Sequence, residues 1–240
     1  MLKNQVAIVT GASRGIGKAI AHKLAKQGMK LALVGSSEEI LKVERELKEQ
    51  GFVDVKGFQV DVADEKAVNQ MVSSIIGTFG QVDVLINNAG IGFFKLVEET
   101  SVEEWRKVFE VNVQGVFLCS KAVLPHMKSN KAGTIITISS DVGRYSIANG
   151  SAYTATKYAV QGFCGSLAQE VREYGIRVGT INPGMVDSYF NNSEQGIEDK
   201  KDWLKGEDIA DAVVYMASAP KHMLVDEIVV HPLVQQYPIA

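Results

Sequence analysis

Near the middle of the chain, within the stretch SDVGRYSIANGSAYTATK, Ser140, Tyr153 and Lys157 have the makings of a proton-transfer set. A free tyrosine titrates near ~10 and a free lysine near ~10.4. An ammonium held beside the phenol favours phenolate, so Tyr153 is expected to be drawn down towards the working pH. The phenol then exchanges a proton with a carbonyl or alcohol oxygen, and the Ser140 hydroxyl steadies that same oxygen. Tyr153 and Lys157 are spaced i, i+4, which on a helix puts them on one face, a turn apart. The same spacing arises by chance on helices where the lysine is solvated and the tyrosine packs. The set therefore calls for a cofactor site elsewhere in the chain.

The elements that must position these groups can be read around them. Residues 133–138 (GTIITI) form an apolar, β-branched run, a buried strand ending just before Ser140. From residue 152 to 171 the length and periodicity are helical. Upstream, residues 5–10 (QVAIVT) run as a strand into Gly11-Ala-Ser-Arg-Gly-Ile-Gly17. A helix over 18–27, closed by Gly28, and a second strand over 30–34 complete a βαβ unit. Helices are expected over 38–50, 65–79, 102–127 (with Pro125 near its end) and 206–218. Strands are expected over 55–60, 82–86, 176–181 and 227–230. This alternation predicts an α/β fold, a single-domain Rossmann-type doubly wound parallel sheet over residues 1–240 with helices on both faces. Residues 187–202 are polar and aperiodic, which suits either a lid beside the strand ends or an unstructured surface connection.

Composition narrows the function classes. The chain has 240 residues, 46% hydrophobic and 22% charged, enough for a full core. A formal net charge of −3 argues against nucleic acid or acidic lipid as the main partner. No apolar run is long enough to span a bilayer and the N-terminus lacks a secretory pattern, so a cytoplasmic location is expected. Cys119 and Cys164 form no metal-ligand cluster and read as small buried hydrophobes in a reducing compartment. His222 and His231 fit no common zinc spacing and read as surface or interface histidines.

The segment TGASRGIG lies where a phosphate cradle must lie, between a strand and a helix. Its glycines permit a tight turn and close approach, and the helix N-terminus supplies N–H donors and positive potential. Its spacing is G-x-x-x-G-x-G (Gly11, Gly15, Gly17), not the usual G-x-G-x-x-G. With Asp61-Val62, Asn87-Asn88-Ala89-Gly90, Asn112, the Ser140, Tyr153 and Lys157 set, Pro183-Gly184 and Ser188 in this order, the sequence resembles the short-chain dehydrogenase/reductase family over nearly its whole length. The resemblance implies an enzyme that passes hydride between a nicotinamide and a small carbonyl or alcohol substrate, without a metal. Tyr153 would be the acid or base, Lys157 would lower its pKa and bind the nicotinamide ribose, and Ser140 would hold the reacting oxygen. Asn112 would keep a water in line behind Lys157, unless it serves only as a helix kink. The cofactor would be held by Gly11, Ser13, Arg14, Gly15, Ile16, Gly17, Ser36, Ser37, Asp61, Val62, Asn88, Ala89, Gly90, Tyr153, Lys157, Pro183, Gly184, Val186 and Ser188.

Which cofactor is implied turns on the end of the second strand. No carboxylate precedes Glu38 there, Arg14 stands at a place basic in NADP-dependent relatives, and Ser36 and Ser37 can donate to a phosphate. NADP(H) is therefore expected, with Glu38 as the group that could reach back. Residues 203–232 lack the threonine–glycine turn and Asp-Gly-Gly segment common in 3-oxoacyl-acyl carrier protein reductases. They resemble the branch of 3-hydroxy acid (serine-type) dehydrogenases, which implies a homotetramer or homodimer with the 102–127 and 152–171 helices at interfaces. For the substrate, Phe93, Phe94, Tyr145, Met185, Tyr189 and Phe190 suggest an apolar wall for neutral ketones, whereas Arg144 suggests a carboxylate anchor for hydroxy acids. The rival readings are a 3-oxoacyl-acyl carrier protein reductase and a redox sensor that binds NADP without turnover.

Overall fold

β-Branched and aliphatic runs form β1 (Val6–Thr10), β2 (Lys30–Gly35), β3 (Val55–Gln59), β4 (Val84–Asn87), β5 (Gly133–Ile138), β6 (Ile176–Pro183) and β7 (Glu227–Val230). The computed structural model describes residues 2–236. All seven strands pair in parallel, in the order β3-β2-β1-β4-β5-β6-β7. A parallel sheet needs cover on both faces, because its strands are joined by crossovers. On one face lie α1 (Gly15–Lys26), α2 (Glu39–Glu49) and α7 (Gly206–Ser218), whose Ile20, Leu24, Ile40, Leu47 and Val213 pack on Ala7 and Val9. On the other lie α3 (Glu65–Phe79), α5 (Gly115–Asn130) and α6 (Ser151–Val171), whose Val68, Met71, Ile75, Val123 and Leu167 pack with Val6 and Ile8. The period-2 alternation of β1 thus divides its side chains between two cores. Cys119 and Cys164 are buried free thiols in the second of these.

Register brings the chemistry-bearing segments to one edge. Thr10 pairs with Val34, Val9 with Ile86, Asn87 with Thr137 and Ile138 with Ile181. The carboxyl ends of five strands therefore finish on one line, and strand order reverses direction between β1 and β4. A crevice forms at such a point because the loops leaving the two neighbouring strands diverge to opposite faces.

The expected helix over 102–127 is not one continuous α-helix. It consists of α4 (Val102–Phe109), opened by a Ser101–Glu104 capping box, a π-helical turn over Glu110–Gln114, and α5, which carries Pro125 internally and runs on to Asn130. The π turn inserts an extra residue, which re-aims the side chains around Asn112. The first helix also begins earlier than periodicity suggested, at Gly15 inside the glycine loop. Among the described residues no helix is long and apolar enough to cross a membrane.

Candidate active site

Thr10, the last residue of β1, ties the crevice together. Its Oγ1 accepts hydrogen bonds from the backbone N–H groups of Asn88 and Ala89, both at 3.0 Å. Asn88 answers from β4's end: its Nδ2 donates to the carbonyls of Thr10 (2.9 Å) and Gly11 (3.1 Å). The Asn88 amide is therefore committed to holding the glycine loop. Gly17 lets the helix close on this knot, since a Cβ there would stand 2.2 Å from Gly11 O and 2.5 Å from Asn88 Nδ2. The first turn of α1 has no acidic residue, and Arg14 at its N-cap makes no side-chain cap. Its orphan N–H groups and positive dipole end face the crevice without a competing anion, which fits the pyrophosphate of a dinucleotide.

Beyond the switch point, β5 delivers Ser140 and α6 delivers Tyr153 and Lys157. The Ser140 hydroxyl donates to Asp141 Oδ1 (3.0 Å) and lies 3.4 Å from the Pro183 carbonyl, close enough to the Tyr153 phenol to act on it. Lys157 is buried; its Nζ donates to the Ile138 carbonyl at 3.1 Å and stands 5.4 Å from the centroid of the Tyr153 ring. Burial lowers Lys157 to about 8. The Tyr153 phenol departs from the expected direction. Burial pushes it up, the Ser140 hydrogen bond pulls it partly back, and the Asp141 charge raises it further. Withdrawing phenolate from water here outweighs a lysine turned onto a backbone carbonyl and itself poorly solvated. The pair therefore keeps its phenol protonated.

Asn112 is reached through the π turn. Its Oδ1 accepts from Ile91 N (2.9 Å), while its Nδ2 donates to Ile91 O (2.8 Å) and Thr156 Oγ1 (3.1 Å). Thr156 in turn donates to Tyr153 O at 2.7 Å. The amide is occupied in fastening the Ile91 backbone to the turn of α6 that carries Tyr153.

The crevice is a cleft of about 1260 Å³. Of the residues singled out from sequence as cofactor-binding, all line it except Lys157, which lies behind Tyr153. Arg14 sits with its guanidinium 5.4 Å over the Tyr189 ring. At the far end of the loop after β2, Ser36 and Ser37 are exposed, and of the two glutamates that follow, Glu39, paired with Lys42 at 2.5 Å, lines the cleft and Glu38 does not.

The opposite end is aromatic. Phe190 packs on Tyr153 with ring centroids 4.9 Å apart, and Phe94 meets both rings edge-on. Gly92 makes this possible, because a Cβ there would stand 2.2 Å from Phe190 Cζ and 2.9 Å from Tyr153 Cδ2. Tyr145 and Met185 also line the cleft and Tyr189 lines it beneath Arg14, whereas Phe93 does not; Lys95 lies over its ring. Arg144 is turned out of the cleft, 3.5 Å from Glu227, and so does not supply the carboxylate anchor considered above. His222 is exposed, but His231 is not a surface histidine: its Nε2 lies 3.3 Å from Asp141 Oδ2. Neither Asp141 nor the tail residue Gln235 stood out in the sequence, yet both line the cleft.

The 187–202 segment is an anchored loop with two short 3-10 turns, Phe190–Asn192 and Glu198–Lys200. Buried Asp187 accepts from Gly196 N (2.9 Å) and Lys205 Nζ (3.1 Å), and buried Lys200 donates to Ser188 O (3.0 Å). The reading as an unstructured connection is thereby replaced.

Three comparisons extend these observations. The short chain dehydrogenase family model matches residues 5–198. An uncharacterized oxidoreductase of Staphylococcus epidermidis is 35% identical over 232 residues, covering 97% of this chain and 99% of that protein. An alcohol dehydrogenase from the archaeon Thermococcus sibiricus, solved with 5-hydroxy-NADP, superposes with a TM-score of 0.92 at 36% identity, covering 98% of this chain and 99% of that one. A metagenomic short-chain oxidoreductase solved with NADP gives a TM-score of 0.85 at 33% identity, with coverage of 98% and 99%.

Lys157 yields a pH prediction. With its folded value lowered to about 8, the unfolded chain binds more protons than the folded one between there and the ordinary lysine range. The cost of burying the ammonium is thus full below that window and is relieved as pH rises through it. In urea denaturation, the stability of Lys157→Met relative to the parent should be highest near ~pH 7 and fall by ~pH 10. A difference that does not vary with pH would contradict this account of the lysine.

Proposed function

The chain belongs to the short-chain dehydrogenase family, and on that premise we propose that it is an NADP(H)-dependent oxidoreductase interconverting a secondary alcohol and a ketone or aldehyde. The observation that carries this reading is a single cleft with an uncapped helix N-terminus at one end and Ser140 and Tyr153, backed by Lys157, lining the other. When bound, the nicotinamide supplies or accepts the hydride. Tyr153 gives its phenolic proton to the reacting oxygen in reduction and takes it back in oxidation. Ser140 would turn its one hydroxyl proton from Asp141 to that oxygen as a second hydrogen bond. Lys157 supports Tyr153 from behind, and Asn112 positions the helical turn that carries it.

The residues of the cofactor end fit the rest of a dinucleotide. Gly11, Ser13, Gly15, Ile16 and Gly17 would cradle the pyrophosphate; Asp61 and Val62 would flank the adenine; Ala89 and Gly90 would lie along the ribose. Pro183, Gly184, Val186 and Ser188 would face the nicotinamide. The exposed Ser36 and Ser37 hydroxyls and Arg14 favour a 2′-phosphate, and pairing with Lys42 offsets the Glu39 charge that would repel it. The complexes of the two solved relatives, with NADP and 5-hydroxy-NADP, support the same choice.

We read residues 1–240 as one catalytic domain acting in the cytoplasm, where two unpaired thiols are at home. Assembly into a dimer or tetramer is supported by the aromatic surface of α4, α5 and α6. Trp105, Phe117 and Tyr158 are 42%, 44% and 45% exposed, which leaves aromatic area on these helices for a second copy to cover.

Three measurements test this reading. Tyr153→Phe should lower kcat for NADPH-dependent ketone reduction by about 10²–10⁴-fold while NADPH still binds; an unimpaired variant would remove Tyr153 from the chemistry. With a common ketone, kcat/KM should be higher with NADPH than with NADH, and Arg14→Ala should narrow the gap; an NADH preference in the parent enzyme would overturn the cofactor assignment. Light scattering at micromolar concentration should report a dimer or tetramer, and a monomer would refute the interface assignment.

A further inference from the structure

The wall beside Ser140 carries a buried charge. Asp141 is 4% exposed and lines the cleft, and both its oxygens receive donors. Ser140 Oγ donates to Oδ1, while Tyr145 OH (2.5 Å) and Gln235 Nε2 (2.7 Å) donate to Oδ2. His231 Nε2 lies 3.3 Å from Oδ2. Its two oxygens are thus held by three side-chain donors. Gln235 is itself fixed, its Oε1 accepting from Met185 N at 2.8 Å. The segment after β7 thus returns across the sheet and clamps an anion into the wall next to the serine.

Among the described residues, no lysine or arginine side chain is directed at that charge at the substrate end. Arg144 faces Glu227 outside the cleft, and Lys200 is directed at the carbonyl of Ser188. Lys157 is turned onto the Ile138 carbonyl behind Tyr153. The cations left along the cleft, Arg14 over Tyr189 and Lys107 at 3.6 Å from Asp61, belong to the glycine-loop end and the adenine side. Phe94 and Phe190 pack against Tyr153, and Ile147 and Met185 add apolar lining to the cleft. Like charges brought close behind a low-dielectric wall repel strongly, and desolvating a carboxylate without a partner adds to the penalty.

From this arrangement we propose that Asp141 is a specificity-determining residue that excludes anionic substrates, so that the enzyme acts on neutral carbonyl compounds with an apolar body and rejects their carboxylate analogues. The inference rests on the oxidoreductase reading above, and it decides against hydroxy acids in favour of neutral ketones or their alcohols. Asp141 itself forms no bond to the substrate; it acts through its charge.

Matched ester and acid ketones test it: methyl 4-acetylbenzoate against 4-acetylbenzoate, and ethyl levulinate against levulinate. Turnover is followed by NADPH absorbance at about pH 8, above the ordinary imidazole range. Binding is followed separately by quenching of NADPH fluorescence in the Tyr153→Phe holoenzyme. In the parent enzyme kcat/KM for each ester should exceed that for its acid by about tenfold or more. Asp141→Asn should bring that ratio towards one, whereas Gln235→Ala, which leaves the charge in place, should keep it even as both rates fall. Acids turned over as well as esters by the parent enzyme, or a ratio unchanged in Asp141→Asn, would overturn the inference and leave the oxidoreductase reading standing. Esters bound in preference to acids yet not turned over would uphold the selectivity and overturn the oxidoreductase reading. Failure of every pair both to bind and to react would overturn the two together.

Discussion

The reciprocal hydrogen bonding of Thr10 and Asn88 is the constraint on which the cleft depends. A parallel sheet can bring strand ends to one edge, but the loops beyond them diverge. Here one hydroxyl accepts two N–H groups from the strand across the switch point, and one amide returns two bonds to the carbonyls of the glycine loop. All four bonds are partly buried, and a bond shielded from water is worth more, and costs more if unmade, than one on the surface. With the knot tied, the first turn of α1 is aimed into the crevice and the Ala89–Gly90 backbone is carried along its side. The glycines serve the knot as much as any ligand, since the space a Cβ would need at Gly17 is filled by protein.

The same economy of buried polar groups governs the reacting end. Asn112, Thr156, Lys157 and Ser140 each hold a backbone or side-chain partner, so Tyr153 is placed by a scaffold whose hydrogen bonds are already made. The result is a phenol surrounded by protein and pushed towards its neutral form, which is a different electrostatic state from a tyrosine simply set beside an ammonium. Preorganisation at this end comes from where the lysine points as much as from its presence.

Much of this was legible in the sequence because it is local. The limits of β5, α3, α7 and β7 coincide with the apolar periods read from residues 133–138, 65–79, 206–218 and 227–230. The glycine loop and the Tyr153–Lys157 spacing announce themselves within a few residues. The π turn did not, because its cause lies elsewhere: Asn112 must reach Ile91 and Thr156, and helical periodicity carries no trace of that requirement. The direction of the Tyr153 shift escaped for a related reason, since a spacing rule places Lys157 on the right face but says nothing of the Ile138 carbonyl that claims it. Phe93 and Arg144, adjacent in sequence to cleft-lining Phe94 and Tyr145, illustrate how one residue's step reverses which way a side chain faces. The Asp141 clamp was the least readable feature, built from His231 and Gln235 across 90 and more positions of chain in an aperiodic tail.

That long reach has a consequence for how the molecule opens. The glycine loop is embedded in neighbouring strands at the centre of the sheet, whereas the clamp hangs from β7, an edge strand whose own residues are only partly covered. Partial unfolding proceeds from weakly packed edges inward, in cooperative units of unequal free energy. The two ends of the cleft therefore belong to different units. Fraying of the sheet edge would release Gln235 and His231 and leave the Asp141 carboxylate open to water, while the Thr10–Asn88 knot stayed closed. Selectivity and nucleotide affinity, joined in one cavity, would then melt at different temperatures.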